Sequence, residues 1–347
     1  MIGSRQEKRF HLFSLLTLIF SLLVVLAGSL VKATGAGMGC PDWPKCYGYW
    51  VPPMDEEQVQ WQPGKMFENG QIIIHDNKLL VAKEDFNPSD SFDESQWEQY
   101  KKHDYAIYKP EHTIIEYVNR LCGAVLGIMA IFMLYFAVRI RKTNSWILWG
   151  SIIAFVLILF EGWLGAKVVD SNLKPLKISV HLYFAFLVLI AVVFARSKAF
   201  APIELKTSRS MWIYRLLILS MLTLLVQLYL GANVREMNDY SRLGNESRAS
   251  WLEKADWVFL IHRSFTWLYG GIALTSCYLL YDAGIRTFAV KAIVALIFLN
   301  ILTGVVMGYF SVPQFAQPVH VVLASVLLAY TCILLFGIKV SRQTERE

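Results

Sequence analysis

Three histidines lie inside long apolar stretches of this 347-residue chain, near one end of each stretch. They are His181, His262 and His320, and Asn119 holds the corresponding place in a fourth stretch. Polar side chains inside a membrane are costly and usually mark a functional site. Two histidines on facing helices at one depth can ligate a flat macrocycle from both sides, and His262 and His320 are the obvious pair.

These histidines have two less specific interpretations. Each could be an unrelated residue that is satisfied by a hydrogen bond to a neighbouring helix. An internal repeat, described below, argues against this interpretation because chance packing does not explain recurrence at matching positions. A zinc site is disfavoured because no Cys, Asp or Glu lies near enough in sequence to complete a tetrahedron.

Two carboxylates in the apolar stretches are candidates for proton transfer. Glu116 lies one helical turn before Asn119, so the two side chains share a helix face. A carboxylate at this depth can hold or relay a proton. The alternative is an ion pair between Glu116 and Arg120, four residues later. Glu161 is a second and weaker candidate because Asn300 takes its place in the repeat.

Two arginines directly follow the Asn and His positions. Arg120 follows Asn119, and Arg263 follows His262. Each side chain is long enough to reach an anionic propionate of a bound macrocycle or to anchor its helix at the membrane interface. We expect both arginines to contribute to cofactor binding.

A cysteine pair lies just after the first apolar stretch. Cys40 and Cys46 enclose Pro-Asp-Trp-Pro-Lys, and their spacing permits either a small disulfide loop or two free thiols. The nearby Gly35, Gly37 and Gly39 suit a tight turn.

The elements that position these residues are transmembrane helices. Hydrophobic residues make up 55% of the chain and charged residues 17%, against about 25% charged in ordinary soluble domains. This composition excludes disorder and a disulfide scaffold and disfavours a water-soluble enzyme. The uncharged windows are 12–31, 121–138, 145–160, 178–195, 216–234, 264–281 and 292–338. The last is long enough for two helices and contains a break at 308–313, so we predict eight spans in the lipid bilayer.

The charges orient these spans. The termini and the even-numbered loops carry 16 basic and 5 acidic residues, whereas 20 acids lie on the opposite side. The positive-inside rule therefore places both termini in the cytoplasm. The net charge of +6 reflects this orientation and does not indicate nucleic-acid binding.

The first outer loop is the only sizeable hydrophilic segment. Its acidic part, about 55–110, contains two short apolar runs, Ile72 to Ile74 and Leu79 to Val81, that could pair as a hairpin. The loop is too short to be an enzyme domain by itself, so we expect the chemistry to take place among the helices.

The last four spans repeat the first four faintly. The matching pairs are His181 with His320 and Gly165 with Gly304 at an offset of 139, Asn119 with His262 at 143, and Gly28 with Gly231 and Lys32 with Arg235 at 203. The larger offset reflects an insertion of 60 residues in the first outer loop. The sequence thus predicts an all-α membrane protein with two pseudo-symmetric four-helix bundles, 1–200 and 201–347, and a site in each.

The chain resembles the heme A synthase family over nearly its whole length. The motifs are Gly28-Ser-Leu-Val-Lys-Ala-Thr-Gly-Ala-Gly, Cys40-Pro-Asp-Trp-Pro-Lys-Cys46-Tyr-Gly, Glu116-Tyr-Val-Asn-Arg120, Ile261-His-Arg263 and Pro318-Val-His320. The Cys-Pro-Asp-Trp-Pro segment is the most specific of them. A single histidine in a membrane helix would be weak support.

The resemblance implies an eight-helix oxidoreductase of a bacterial-type cytoplasmic (inner) membrane. It would oxidise the C8 methyl group of heme O to the formyl group of heme A, by successive hydroxylations, for terminal oxidases. The carboxyl-terminal half would hold heme B through His262 and His320. The amino-terminal half would hold the substrate heme on His181, with Glu116 as the catalytic acid and a Cys40–Cys46 disulfide nearby. The resemblance leaves open whether heme O synthase delivers the substrate, whether quinol is the electron donor and whether the protein forms a homo-oligomer.

One position departs from the family pattern Glu-x-x-His-Arg. This chain has Asn119 where the histidine is expected, so His181 is the only strong ligand in the amino-terminal half. His112 is no easy substitute, because seven residues on a helix separate two positions by about 10 Å along the axis. Either that histidine is dispensable, or this half has lost its substrate.

Two other functions therefore compete with the synthase. A non-catalytic di-histidine b-type cytochrome, passing electrons from quinol, is favoured by the missing histidine. A transporter or assembly factor built on a duplicated bundle is supported only by the repeat, and it would bind no heme.

Overall fold

The computed structural model describes residues 4–341, except for the side chains of 253–256. Of the charged residues counted for the orientation, Arg342, Glu345, Arg346 and Glu347 lie outside the described residues. The eight long helices are α1 (Arg5–Thr34), α2 (Pro110–Ile140), α3 (Ser145–Asp170), α4 (Pro175–Ser197), α5 (Ser210–Leu243), α6 (Trp251–Asp282), α7 (Phe288–Tyr309) and α8 (Ala316–Gly337). The predicted boundary at 200/201 falls in the connection between α4 and α5.

Within the described residues, seven of the long helices, all except α6, are apolar and long enough to cross a membrane. The chain is therefore an all-α multi-pass membrane protein. A helix satisfies its own backbone hydrogen bonds, which lipid cannot do. The sixth predicted span lies within α6, whose window 264–281 is uncharged but contains three Tyr, two Ser, two Thr and two Gly. Spanning by α6 stays a prediction.

The break predicted in the long carboxyl-terminal stretch is confirmed. α7 ends at Tyr309, and α8 begins at Ala316. Ser311 and Val312 adopt positive φ angles of 54° and 52°, which reverse the chain within a few residues. At the other end of the molecule, α1 begins with a capping box between Ser4 and Glu7, and it ends at Gly35 with φ +79°.

The helices pack most extensively as the sequential pairs α1–α2, α3–α4, α5–α6 and α7–α8. Contacts of α1 with α4 and of α2 with α3 connect the first two pairs, and contacts of α5 with α8 and of α6 with α7 connect the last two. The two halves meet where α8 packs against α1 and α4, and where α4 packs against α5. A short parallel pair, β4 (Ile203–Leu205) with β5 (Ile338–Val340), ties the α4–α5 connection to the end of α8.

The outer segment between α1 and α2 forms a small compact unit over the amino-terminal half. The predicted hairpin is confirmed as β1 (Ile72–His75) and β2 (Lys78–Ala82), with Ile72 opposite Val81. A third strand that the sequence pattern does not reveal, β3 (Trp97–Gln99), extends the sheet. One apolar cluster under this sheet contains Cys40, Cys46 and Tyr47, so the sheet supports the segment 40–46, the cysteine loop.

Candidate functional site

A cavity of about 1080 Å³ lies among α1, α2, α3 and α4, beneath the cysteine loop. Its volume is slightly above the usual range for ligand sites, about 300–1,000 Å³. The lining is mainly apolar. All five polar residues predicted for the amino-terminal half line it: Glu116, Asn119, Arg120, Glu161 and His181. Helix packing therefore brings together residues that are up to 65 positions apart in the sequence.

Each of the four Asn and His positions faces a glycine on the helix paired with its own. A Cβ atom on Gly28 would lie 3.6 Å from Oδ1 of Asn119, and one on Gly165 would lie 3.6 Å from Cε1 of His181. In the second half, a Cβ on Gly231 would lie 3.0 Å from Cε1 of His262, and one on Gly304 would lie 3.8 Å from Cε1 of His320. The missing side chains let each of these polar groups pack directly against its partner helix. The glycines align in the internal repeat, so this shared geometry gives the repeat a physical meaning.

His181 lines the cavity, and its Nδ1 atom contacts a carboxylate on the neighbouring helix. The Glu161 carboxylate contacts Nδ1, and the His181 side chain is 37% exposed while that of Glu161 is 13% exposed. A carboxylate on one imidazole nitrogen fixes the ring and directs the other nitrogen, Nε2, towards a ligand. Glu161 is thus a positioning residue for His181. The repeat did not suggest this role, because Asn300 occupies the equivalent place.

Glu116 is buried, and both of its carboxylate oxygens are hydrogen-bonded. Oε1 accepts a hydrogen bond from Arg120 Nη2 at 2.5 Å, and Oε2 accepts one from the backbone N–H of Cys40 at 3.0 Å. The ion pair that the spacing offered as an alternative is therefore present. It does not exclude a role in proton transfer, since Glu116 also lines the cavity.

Arg120 mainly holds the cysteine loop in place through hydrogen bonds. Besides Glu116, its guanidinium donates to the backbone carbonyls of Cys40 at 3.1 Å, Asp42 at 2.7 Å and Lys45 at 2.8 Å. These bonds occupy most of its five donors. The expectation that Arg120 binds a propionate thus competes with a structural role that the sequence did not reveal.

The cysteine loop is fixed by further hydrogen bonds. The Thr113 hydroxyl donates to the carbonyl of Gly39 at 2.8 Å, and the Asp42 carboxylate accepts the N–H groups of Tyr47 and Gly48 at 2.6 and 2.9 Å. Burial raises the pKa of Asp42, and the two N–H groups oppose this shift. Cys40 and Cys46 are joined by a disulfide in the structure. The loop therefore closes one end of the cavity, called the outer end, where its Trp43 and Pro44 line the wall.

The second predicted pair lies in the carboxyl-terminal half. The ring centres of His262 on α6 and His320 on α8 are 6.4 Å apart, with their planes at 74°. Two imidazoles that ligate one metal ion from opposite sides have ring centres about 6 Å apart, given metal–nitrogen bonds of about 2.0–2.1 Å. The separation of the rings therefore suits a shared metal ion.

Each of these rings is held through Nδ1. Thr303 Oγ1 lies 2.8 Å from Nδ1 of His320, and the Thr303 hydroxyl also contacts the carbonyls of Leu299 and Asn300. With its proton directed to a carbonyl, this hydroxyl accepts the Nδ1–H and leaves Nε2 free for a metal. The amide nitrogen Nε2 of Gln227 lies 3.2 Å from Nδ1 of His262, and because it can only donate, this contact orients the ring with Nδ1 as the acceptor. Two oriented imidazoles, each beside a glycine, fit a planar iron macrocycle such as heme.

Arg263 is the predicted residue that the structure places furthest from this role. It is exposed, and its guanidinium lies 5.9 Å from the centre of the Phe259 ring on the same helix. This cation–π contact is consistent with the alternative of an interface anchor.

The structure adds a group of cations that the sequence reading did not single out. Lys32 on α1 and Arg235 and Arg242 on α5 line the outer end of the cavity, together with Asp239. The alignment of Lys32 with Arg235 in the repeat was the available signal. Lys32 is 210 positions from Arg242, so their proximity depends on how the two halves pack.

Comparison with known proteins gives one family. A family model described as "Cytochrome oxidase assembly protein" (COX15-CtaA) matches residues 11–86 and 87–332. A protein of Rickettsia prowazekii named Heme A synthase is 24% identical over 360 residues, covering 92% of this chain and 95% of that protein.

Two other proteins of the same name match over shorter regions. That of Shewanella oneidensis is 26% identical over 185 residues, which is 53% of this chain and 44% of its own length. That of Alkalihalophilus pseudofirmus is 27% identical over 195 residues, 56% of this chain and 48% of its own length. The chain thus spans about half the length of these two relatives.

Proposed function

Because this chain belongs to the cytochrome oxidase assembly protein family COX15-CtaA, we propose that it is a heme A synthase that oxidises the C8 methyl group of heme O to a formyl group. The relatives that carry this name match it over part or nearly all of its length. The observation that supports the proposal is the amino-terminal cavity. It is large enough for a ligand, and the oriented His181 and the buried Glu116 both line it.

The substrate heme would occupy this cavity with His181 as its iron ligand. Glu161 holds the imidazole by Nδ1, so the ring keeps one orientation through binding and release. Asn119 faces the cavity from α2, opposite Gly28. An amide is a much weaker iron ligand than imidazole, so the substrate would be held by one strong bond, which suits exchange of substrate for product.

Glu116 would move protons at the methyl group. Each of two successive hydroxylations would insert one oxygen atom from molecular oxygen as co-substrate and release the other as water, with two electrons and two protons from the donor. The resulting gem-diol loses water to leave the aldehyde. Glu116 can accept and return a proton in these steps because its carboxyl group lies beside Arg120 and lines the cavity. The apolar walls and the disulfide-bonded cover limit access of bulk water to the reacting group.

His262 and His320 would hold heme B in the carboxyl-terminal half. When bound there, heme B supplies one-electron transfer. The chain's own contribution is to orient both imidazoles, by Thr303 on His320 and by Gln227 on His262, and to let the rings pack closely against Gly231 and Gly304.

The setting of the reaction is part of the proposal. The chain would lie in a bacterial inner membrane with both termini in the cytoplasm. This orientation would place the cysteine loop and the cavity mouth on the outer side of the membrane. Heme O synthase would supply the substrate, and quinol is a candidate electron donor. Assembly into a homo-oligomer is compatible with this arrangement.

The decisive experiment is to express the chain in a membrane with a heme O supply, purify it, and identify the extracted hemes by chromatography and mass. We expect heme B together with heme A or its hydroxylated intermediate. Heme B alone, with heme O present and unconverted, would contradict the synthase. It would support the second candidate, a non-catalytic di-histidine cytochrome, which the Asn119 position favours.

A further prediction concerns the walls of the cavity. Cβ atoms on Gly123 and Gly127 of α2 and on Gly162 of α3 would meet no atom within 4 Å, and all three residues line the cavity. We expect Gly127→Leu to fill this space and to lower heme O affinity by about 10-fold or more, since packed interiors resist added volume. An optical titration of heme O into the purified protein measures the effect.

Gly271→Leu is the matched control for this substitution. Gly271 lies in the middle of α6, is exposed, and also has no atom within 4 Å of an added Cβ, but it does not line the cavity. Both substitutions alter helix propensity equally. Heme O binding by Gly127→Leu that equals that of the control would contradict the assignment of the cavity to the substrate.

A further inference from the structure

The outer end of the amino-terminal cavity carries an excess of positive charge. Lys32, Arg235 and Arg242 line it there, and the facing carboxylate is that of Asp239. Glu236, the next residue after Arg235, is not among the lining residues. Cations beside an apolar cavity are costly unless anions balance them. This end of the cavity is therefore suited to an anionic part of a ligand.

The protein itself compensates only part of this charge. Lys32 Nζ lies 2.7 Å from Asp239 Oδ1, and these side chains are 20% and 9% exposed. Arg242 Nη1 donates to the carbonyl of Lys32 at 3.0 Å, a neutral acceptor. Arg235 has no ion pair of 4 Å or less with a described carboxylate. Two guanidinium charges thus remain for a ligand.

The depth of these cations along their helices suits contact with the edge substituents of a macrocycle bound in the cavity. Lys32 follows Gly28 by one turn of α1, about 6 Å along the axis. Gly28 marks the depth of Asn119, and Arg235 lines the same cavity as Lys32. A ring at the depth of Gly28 would bring its edge substituents to Lys32 and Arg235. Arg120, the other cation of the cavity, already has its donors on the cysteine loop.

We propose that Arg235 and Arg242, with Lys32 held by Asp239, bind the two propionate carboxylates of the substrate heme in the amino-terminal cavity. The assignment rests on the proposed function and deepens it. Arg235 and Arg242 of the carboxyl-terminal half thereby complete the substrate site of the amino-terminal half. Paired propionates would fix the rotation of the macrocycle about the His181 bond and so select which methyl group faces Glu116.

The test uses the full-length protein loaded with heme B and two probes, heme O and its dimethyl ester, which lacks both carboxylate charges. Optical titration measures the dissociation constant of each probe for wild type and Arg235→Gln. We expect Arg235→Gln to weaken heme O binding by about 10- to 100-fold, the range for a charge-assisted contact, and to change binding of the ester by less than about 3-fold. Lys174→Gln, an exposed residue outside the cavity, is the control.

Three results would overturn the assignment. One is equal weakening for heme O and the ester, and another is no weakening for either. The third is loss of heme B from Arg235→Gln with unchanged heme O binding, which would place this arginine at the other site. Because binding is measured without turnover, a wild-type protein that binds heme O and fails to convert it would contradict the synthase while leaving this test intact. Arg242→Gln should reproduce the selective loss.

Discussion

Replacing His262 with alanine should abolish the low-spin heme B spectrum of the purified protein. His262 and His320 would supply both axial ligands, and their rings lie 6.4 Å apart on different helices. Losing a ligand should cost more than the 10- to 100-fold loss of metal affinity typical when a residue supporting a ligand is changed. The measurement is the absorption spectrum of the reduced protein, together with the heme B content by extraction.

Two variants make this result specific to ligation. His262→Met should keep heme B with an altered spectrum, because a thioether also ligates heme iron. His75→Ala, in the outer sheet, should leave the spectrum unchanged. Retention of the wild-type spectrum by His262→Ala would refute the assignment. Thr303→Val should weaken heme B binding by about 10- to 100-fold through loss of the contact to His320 Nδ1.

Glu116→Gln should lower the yield of heme A by about 10²- to 10⁴-fold, the usual contribution of a general acid or base. The amide keeps the size of the side chain and can still accept the Cys40 N–H, but it cannot take up a proton at the methyl group. Arg120 would keep its three carbonyl acceptors, so the cysteine loop should stay in place. Product is measured by heme extraction after supply of heme O, at normal heme B content.

The ion pair with Arg120 makes a purely structural role of Glu116 the competing explanation. If Glu116 acts only by holding Arg120, Arg120→Gln should lower heme A yield as much as Glu116→Gln, and the double variant should be no worse. If Glu116 moves protons, Arg120→Gln should retain more activity than Glu116→Gln. Glu111→Gln, an exposed residue on the first turn of α2, is the control. An unchanged heme A yield from Glu116→Gln would remove this residue from the mechanism.

The Glu116 and Arg120 contacts also connect the cysteine loop with the candidate chemistry. The backbone of Cys40 donates to Glu116 through its N–H and accepts from Arg120 through its carbonyl. Any displacement of the loop would therefore move the carboxylate and its counter-ion together. The loop and the Glu-x-x-Asn-Arg segment are thus in direct contact, although 76 positions separate Cys40 from Glu116.

The sequence by itself determined the features that depend on local pattern. Long uncharged windows predicted the helices, because a chain in lipid must satisfy its backbone internally. Paired apolar runs predicted the β1–β2 hairpin, and a Gly–Pro break predicted the turn between α7 and α8. The spacing of His181 and His320 within the repeat identified the candidate ligands, since ligation needs particular residue types at particular depths.

The tertiary structure alone decided which polar groups meet. The contact of Glu161 with His181, the clamp of Arg120 on three loop carbonyls and the cluster of Lys32, Arg235 and Arg242 join segments that sequence spacing leaves unrelated. Hydropathy fixes the depth of a residue in the membrane and not the direction in which it points. That direction follows from helix rotation and from the packing of the two halves, which depends on the whole set of side-chain contacts and on no single motif.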